Sequence, residues 1–243
     1  MKGALFHELC RRRAAGRLSA VRRKKAFSLP EKQILQVIEK QNRHRGVFIH
    51  TDHKAHYEQI MVNGFPCLIV REHEQPAPRA ILYFFGGGMV IGPDKGDLPV
   101  MRKLCRETGC DVWFPFYPLC TAHCITKTYD MAYACYRQMI ALYGGGNVNT
   151  CGFSSGGALA LGIAAHNNAQ AQKPPAPRHI VAVSPGEVPW NDAEKARCPI
   201  LKPPADAPAC ATPPTPTPAW CTATACCPIS KRRGRTSPRS WVF

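Results

Sequence analysis

Residues 151–161 read CGFSSGGALAL, and they follow directly on the strand-like Asn147-Val148-Asn149-Thr150. Within the run, Gly152-Phe153-Ser154-Ser155-Gly156 fits the G-x-S-x-G pattern, in which a sharp strand-to-helix turn lifts a serine out of the top of a sheet. Glycines belong on either side because the serine backbone is strained and side chains there would collide with the neighbouring strand and helix. The following helix aims its N-terminal amides at the same point, where negative charge is stabilised. The pentapeptide alone would also suit a packing turn, so the surrounding chain has to decide.

Upstream, Ala80-Ile81-Leu82-Tyr83-Phe84-Phe85 is an unbroken apolar run ending in Gly86-Gly87-Gly88. Such a run predicts a strand covered on both faces. The glycines offer unobstructed backbone N–H groups that could approach Ser154 from a second direction and form an oxyanion hole. A helix is expected around 97–108, a second buried strand over Asp111 to Tyr117, and a helix carrying Met131, Ala134, Cys135, Gln138, Met139 and Leu142 that stops at Gly144-Gly145-Gly146. A strand over Asn147–Cys151, a helix from about 155 to 168 and a strand from His179 to Val183 follow. This alternation is the signature of a parallel sheet with crossover helices.

Towards the N-terminus, Tyr57 to Val62, Asn63-Gly64 and Phe65 to Arg71 read as an antiparallel hairpin, since Asn-Gly supplies the positive φ angles of a two-residue turn. Ser28-Leu29-Pro30-Glu31 reads as a helix start with Ser28 able to cap, and Ile34, Leu35, Val37 and Ile38 form its apolar face.

The formal charge of +16 is carried by the ends of the chain: residues 1–45 hold thirteen Lys and Arg against three acids, and residues 198–243 hold six against one. The 152 residues between hold thirteen against twelve, so the globular part is nearly neutral. Runs such as Arg11-Arg12-Arg13 and Arg22-Arg23-Lys24-Lys25 read as solvated tails. No stacking platform or recognition-helix pattern accompanies them, so there is no clear nucleic-acid partner. No apolar run approaches the ~20 residues of a membrane helix, so no transmembrane segment is expected. Thirteen cysteines in a chain without an apolar leader suggest free thiols in a reducing compartment, hence the cytoplasm. Cys120, His123 and Cys124 could form half of a metal site, but no second pair with ligand spacing appears and the expectation is no metal.

Four stretches together carry a resemblance: FFGGGMVIG at 84–92, VWFPFYPL, GFSSGGALAL at 152–161 and VAVSPGEVPW at 181–190. They resemble the hormone-sensitive-lipase-type α/β-hydrolases, which include steryl-acetate hydrolases and microbial carboxylesterases, over roughly residues 28–197. The resemblance implies an α/β-hydrolase fold, mostly parallel with an antiparallel N-terminal hairpin, and a carboxylic ester hydrolase acting on a small-molecule ester without a cofactor. It implies an acyl-enzyme on Ser154 and an oxyanion hole among the amides of Gly86, Gly87, Gly88 and Ser155. Two positions depart from the family: Phe85 stands where it usually has histidine, and Phe153 where it usually has an acid. The first departure bears on how the glycine loop is oriented.

A serine hydroxyl needs a base, itself oriented by a carboxylate, and in this fold the order is serine, acid, histidine. Downstream of Ser154 stand only His166 and His179, with Glu187, Asp192, Glu194 and Asp206. His166 rides the helix about 16 Å from its start by helix rise, and His179 begins the next strand at the opposite edge. The family's acid and histidine would fall where residues 198–243 run out, or past them, and that segment has ten prolines, five cysteines and no histidine. That segment is expected to be unstructured. The break near Ala196-Arg197-Cys198 favours a truncation or reading-frame artefact over a degenerate protein that keeps the fold and loses turnover. Three segments follow: a basic disordered or helical arm over 1–27, a partial α/β-hydrolase domain over 28–197 with its last strands missing, and the tail. The alternative function is a catalytically inactive hydrolase-fold binding or interaction protein.

Overall fold

Asn63 and Gly64 take φ of 50° and 82°, the paired positive angles that let a two-residue turn follow the twist of its strands. They join β1 (His56–Val62) to β2 (Phe65–Arg71), antiparallel from Val62↔Phe65 to His56↔Arg71, where the sequence predicts the hairpin. The computed structural model describes residues 30–43, 54–186 and 240–242. The arm expected over 1–27 and most of the tail expected over 198–243 lie outside the described residues.

Before the hairpin runs helix α1 (Glu31–Asn42). Its N-cap is Pro30, without a side-chain capping bond; Ser28, expected to cap it, lies outside the described residues. Proline fixes φ near the helical value and needs no partner for a missing N–H, so the helix begins straight after it. Of the apolar face, Ile38 is buried, Ile34 and Leu35 are half-buried, and Val37 is exposed.

The remaining elements are β3 (Ala80–Phe84), α2 (Asp97–Thr108), β4 (Asp111–Pro115), α3 (Ile125–Tyr143), a 3-10 turn at Gly145–Asn147, β5 (Val148–Phe153), α4 (Ser155–Ala169) and β6 (Ile180–Val183). The 3-10 turn takes up Asn147, so β5 starts one residue later than its pattern suggests and runs two residues further. The sheet order is β1-β2-β4-β3-β5-β6-β7, where β7 is Ser240–Val242, with β3, β4, β5 and β6 parallel and β2 antiparallel to β4. From β3 the chain first goes to one side, to β4, and then returns past β3 to β5. Connections therefore diverge between β3 and β5, the switch point at whose C-terminal ends open α/β sheets place their binding crevice.

The core follows from the sequence's apolar runs. Every residue of β3 and β4 is buried, and Tyr83, Phe84, Phe85, Phe114 and Tyr117 form one aromatic group linking them. Each such ring removed from water contributes about 2–3 kcal/mol. α4 packs on β5, β6 and β3 through small residues, which let the helix axis come close to the sheet.

Ser240–Val242 form β7, antiparallel to β6 with Val181↔Val242, Ala182↔Trp241 and Val183↔Ser240. For these three residues the expectation of an unstructured tail is corrected. The open edge of β6 presents a row of unpaired N–H and C=O groups that draws in a pairing segment, and Ser240-Trp241-Val242 contains no proline and two strand-favouring residues. A second correction concerns the thiols. Cys67, Cys105, Cys110, Cys120, Cys135 and Cys151 are buried thiols outside any disulfide, whereas Cys124 is disulfide-bonded. Cys124 is half-buried at the start of α3, and access decides which thiols can react.

Candidate active site

Ser154 sits between β5 and α4 with φ 53° and ψ −124°, a conformation that costs a non-glycine residue about 1–3 kcal/mol. The surrounding backbone holds it there. Ser154 N–H donates to the Val183 carbonyl at 3.0 Å, and the Ser154 carbonyl accepts from Gly157 at 2.9 Å and Gly186 at 3.2 Å. A Cβ on Gly152 would run into the Gly156 carbonyl, and one on Gly156 into the carbonyl oxygens of Phe84 and Phe85. Both glycines are thus required by close approach, and α4 starts directly against the end of β3.

The β3–β5 ladder runs from Ala80↔Val148 to Phe84↔Gly152, and two more steps bring Gly86 level with Ser154. A Cβ on Gly86 would lie 2.6 Å from the Phe153 carbonyl and 3.1 Å from the Ser154 Cβ. The two glycine motifs, far apart in sequence, are therefore in contact. Beyond them Gly88 and Met89 both take φ of 64°, turning the loop back on itself.

Several ties orient this loop. The Tyr117 hydroxyl donates to the Phe85 carbonyl at 2.8 Å, Cys120 N–H donates to the Met89 carbonyl at 2.8 Å, and Val90 and Ile91 N–H groups donate to the Gly87 carbonyl at 3.1 and 3.0 Å. Asn42, at the end of α1, donates to the Val90 carbonyl at 2.8 Å and accepts from Gly92 N–H at 3.0 Å. Gly87 N–H donates to Ser155 Oγ at 3.2 Å. Phe85 itself is fully buried and stacked on Tyr117, with ring centroids 4.0 Å apart and planes 2° apart. At the position where the resemblance expects histidine, this chain has a core residue, and the loop is oriented through its backbone.

Asn42 and Tyr117 were not legible as site residues. Tyr117 offered one hint, since a tyrosine closing a buried run needs a partner for its hydroxyl. Nothing in the sequence connects Asn42 to a loop 48 positions away.

Among the described residues, no hydrogen bond is donated by the N–H of Gly86 or Gly88. Ser155 opens α4, so its N–H has no helical partner either. Chemically, the arrangement is a hydroxyl on a strained bend beside amide donors at a helix N-terminus, a setting that favours negative charge.

The histidines lie elsewhere. His166 is in the last turn of α4, its ring 4.2 Å from that of Tyr133 and its Nε2 3.0 Å from Gln170 Nε2. Burial lowers its pKa, and nearby Asp130 pulls the other way. His179 is exposed at the start of β6, with Nδ1 2.9 Å from Asn149 Oδ1. His123 stands edge-on to Phe65 with centroids 5.2 Å apart. That places it over β2, three strand spacings or about 14 Å across the sheet from β5. Glu187, Asp192, Glu194 and Asp206 lie outside the described residues. Of the possible metal half-site, Cys120 is a buried thiol, His123 packs on Phe65 and Cys124 is in a disulfide. Among the described residues no helix is long and apolar enough to cross a membrane.

A parallel sheet whose connections diverge beside a serine at a strand-to-helix bend is the frame of an α/β-hydrolase. Residues 81–238 match the family described as alpha/beta hydrolase fold, and the chain belongs to that family. The match continues past residue 197, where the resemblance carried by the motifs stops, through most of the proline-rich segment. The structure is similar to that of a candidate esterase from Staphylococcus aureus, with 25% identity, a TM-score of 0.53 and coverage of 60% of this chain and 49% of that one. It is also similar to an esterase/lipase from an uncultured bacterium, with 21% identity, a TM-score of 0.50 and coverage of 71% and 55%. An esterase from the bacterial hormone-sensitive lipase family shares 22% identity at a TM-score of 0.46, covering 63% and 51%. The chain thus spans about half the length of these solved structures. No curated protein matches it.

Proposed function

We propose that this site is that of a serine carboxylic ester hydrolase of the hormone-sensitive-lipase type, acting on a small-molecule ester. Ser154 Oγ attacks the ester carbonyl, the alcohol leaves and an acyl-enzyme remains for water to cleave. The tetrahedral oxyanion is received by amides of the Gly86–Gly88 loop and by that of Ser155. The observation that carries this reading is the backbone of Ser154. A serine is kept at φ 53° and ψ −124° between two glycines that tolerate no side chain, and presentation of its hydroxyl is the function that accounts for the strain.

Turnover by this chain is proposed to be impaired. His166 and His179, the histidines that follow the serine, sit at the far end of α4 and at the N-terminal end of β6, away from the bend that carries Ser154. The same observation favours the second reading, an inactive hydrolase-fold binding protein. A fluorophosphonate probe separates the two. Covalent labelling of the full chain that disappears in Ser154→Ala supports a residual hydrolase, and a folded chain that never labels supports the binding protein and removes the nucleophile reading.

A further inference from the structure

We propose that the Ser155 side chain is a positioning element of the site: its hydroxyl latches the glycine loop to the serine bend and takes the Gly87 amide out of the set that receives an oxyanion. For its chemistry this rests on the reading of Ser154 as a nucleophile, and for its geometry it does not. Ser155 is only 2% exposed, and its Oγ accepts the Gly87 N–H at 3.2 Å across 68 positions of chain. The remaining ties hold the loop to α1, to the segment after β4 and to itself. This one runs to the first residue of α4, directly after Ser154, so it joins the two halves of the site to each other.

A second observation agrees. A Cβ on Gly86 would press on the Ser154 Cβ, and one on Gly88 would meet only Val90 Cγ2 at 3.9 Å. A Cβ on Gly87 would collide with the Ile91 carbonyl inside the loop's own turn. Gly87 is therefore glycine for the sake of the turn, and its amide already has an acceptor. A hydroxyl oxygen has two lone pairs and one proton, so Ser155 Oγ can hold the Gly87 N–H and keep its proton for a third group. The donors left for an oxyanion are the amides of Gly86, Gly88 and Ser155.

The test uses the full chain with Ser155→Ala, which removes the acceptor, and Ser155→Thr, which keeps a hydroxyl. Residue-resolved amide hydrogen exchange follows the glycine loop, and fluorophosphonate kinetics give the maximal inactivation rate and the probe's apparent affinity separately. In Ser155→Ala, the Gly87 amide is expected to exchange at least about tenfold faster, as a freed loop amide does. The maximal inactivation rate is expected to fall about tenfold at unchanged probe affinity, the mark of misplaced rather than missing contacts. Ser155→Thr restores both. Unchanged Gly87 exchange in Ser155→Ala, or failure of threonine to restore it, overturns the latch. If the unmodified chain does not label, the nucleophile reading falls, and the exchange measurement still decides the latch by itself.

Discussion

The two ends of the sheet are built on opposite terms. At the N-terminal end of β4, Asp111 is buried and fully engaged. It accepts from the Tyr143 hydroxyl at 2.8 Å, from Arg71 Nε at 3.3 Å and from the Ala77 N–H at 3.2 Å. Tyr143 in turn accepts from Trp113 Nε1 at 3.1 Å, and Arg71 continues to Glu58 at 2.5 Å. Burial, above all, and then the Asp111 carboxylate push the Tyr143 hydroxyl up to about 12, so it stays a neutral donor at any physiological pH. At the C-terminal end, Ser154 is strained, and among the described residues the Gly86 and Gly88 amides donate no hydrogen bond. A satisfied buried network rigidifies one end, and that rigidity lets the other keep a conformation costly on its own.

Four measurements would break or sharpen this contrast. The largest effect is expected from Gly156→Val, whose side chain would overlap the Phe84 and Phe85 carbonyls. It should destabilise the fold by about 4 kcal/mol or more. Near-wild-type stability in urea would mean that α4 does not rest on β3 as described.

Asp111→Ala comes next. It leaves the buried Tyr143 hydroxyl and the Ala77 N–H without their acceptor and takes one of its two carboxylate partners from Arg71, and should cost about 3 kcal/mol, with phosphonylation of Ser154 per folded molecule unaltered. A change in labelling without a change in stability would erase the distinction between the ends.

Ser154→Gly should do the reverse. Relief of the positive φ stabilises the chain by about 1 kcal/mol while labelling is abolished. A loss of stability on this substitution would show that the bend carries no strain.

The smallest effect concerns His166, packed between α3 and α4 beside Asp130 and Tyr133. Burial depresses its pKa from the ordinary 6.5, so the unfolded chain takes up a proton first on acidification. Stability should therefore fall as the pH drops through 6.5 towards the lowered native value. Asp130, raised from 3.8 by burial, works in the opposite sense, because the folded chain then holds its proton more tightly. Comparison of unfolding at pH 7.5 and 5.5 for the native chain and His166→Gln decides the point. Equal slopes would clear His166 of the effect.

What could be read from the sequence was whatever neighbouring residues impose on one another. Asn63-Gly64 fixes a hairpin because both residues tolerate positive φ. The apolar run Ala80–Phe85 announces a covered strand, which ends one residue earlier at Phe84, and the glycines around Ser154 announce a bend. What stayed hidden depends on partners distant in the chain: the Asp111 network, the Asn42 and Tyr117 ties to the glycine loop, and the return of Ser240–Val242 to the edge of β6. Of the candidate site, the serine and the glycine run were legible as types, but that Ser155 Oγ engages Gly87 needed coordinates.

The ladder between β3 and β5 is five residue pairs long, Ala80↔Val148 to Phe84↔Gly152, and the alignment of bend and loop is inherited from it. Sliding one strand past the other by a single residue would shift the loop by about 3.3 Å, further than any hydrogen bond can stretch. It would also swap which side chains face each layer of helices. The spacing between the Ser154 bend and the glycine loop is thus gauged by main-chain pairing well below it, and it persists as long as these rungs hold.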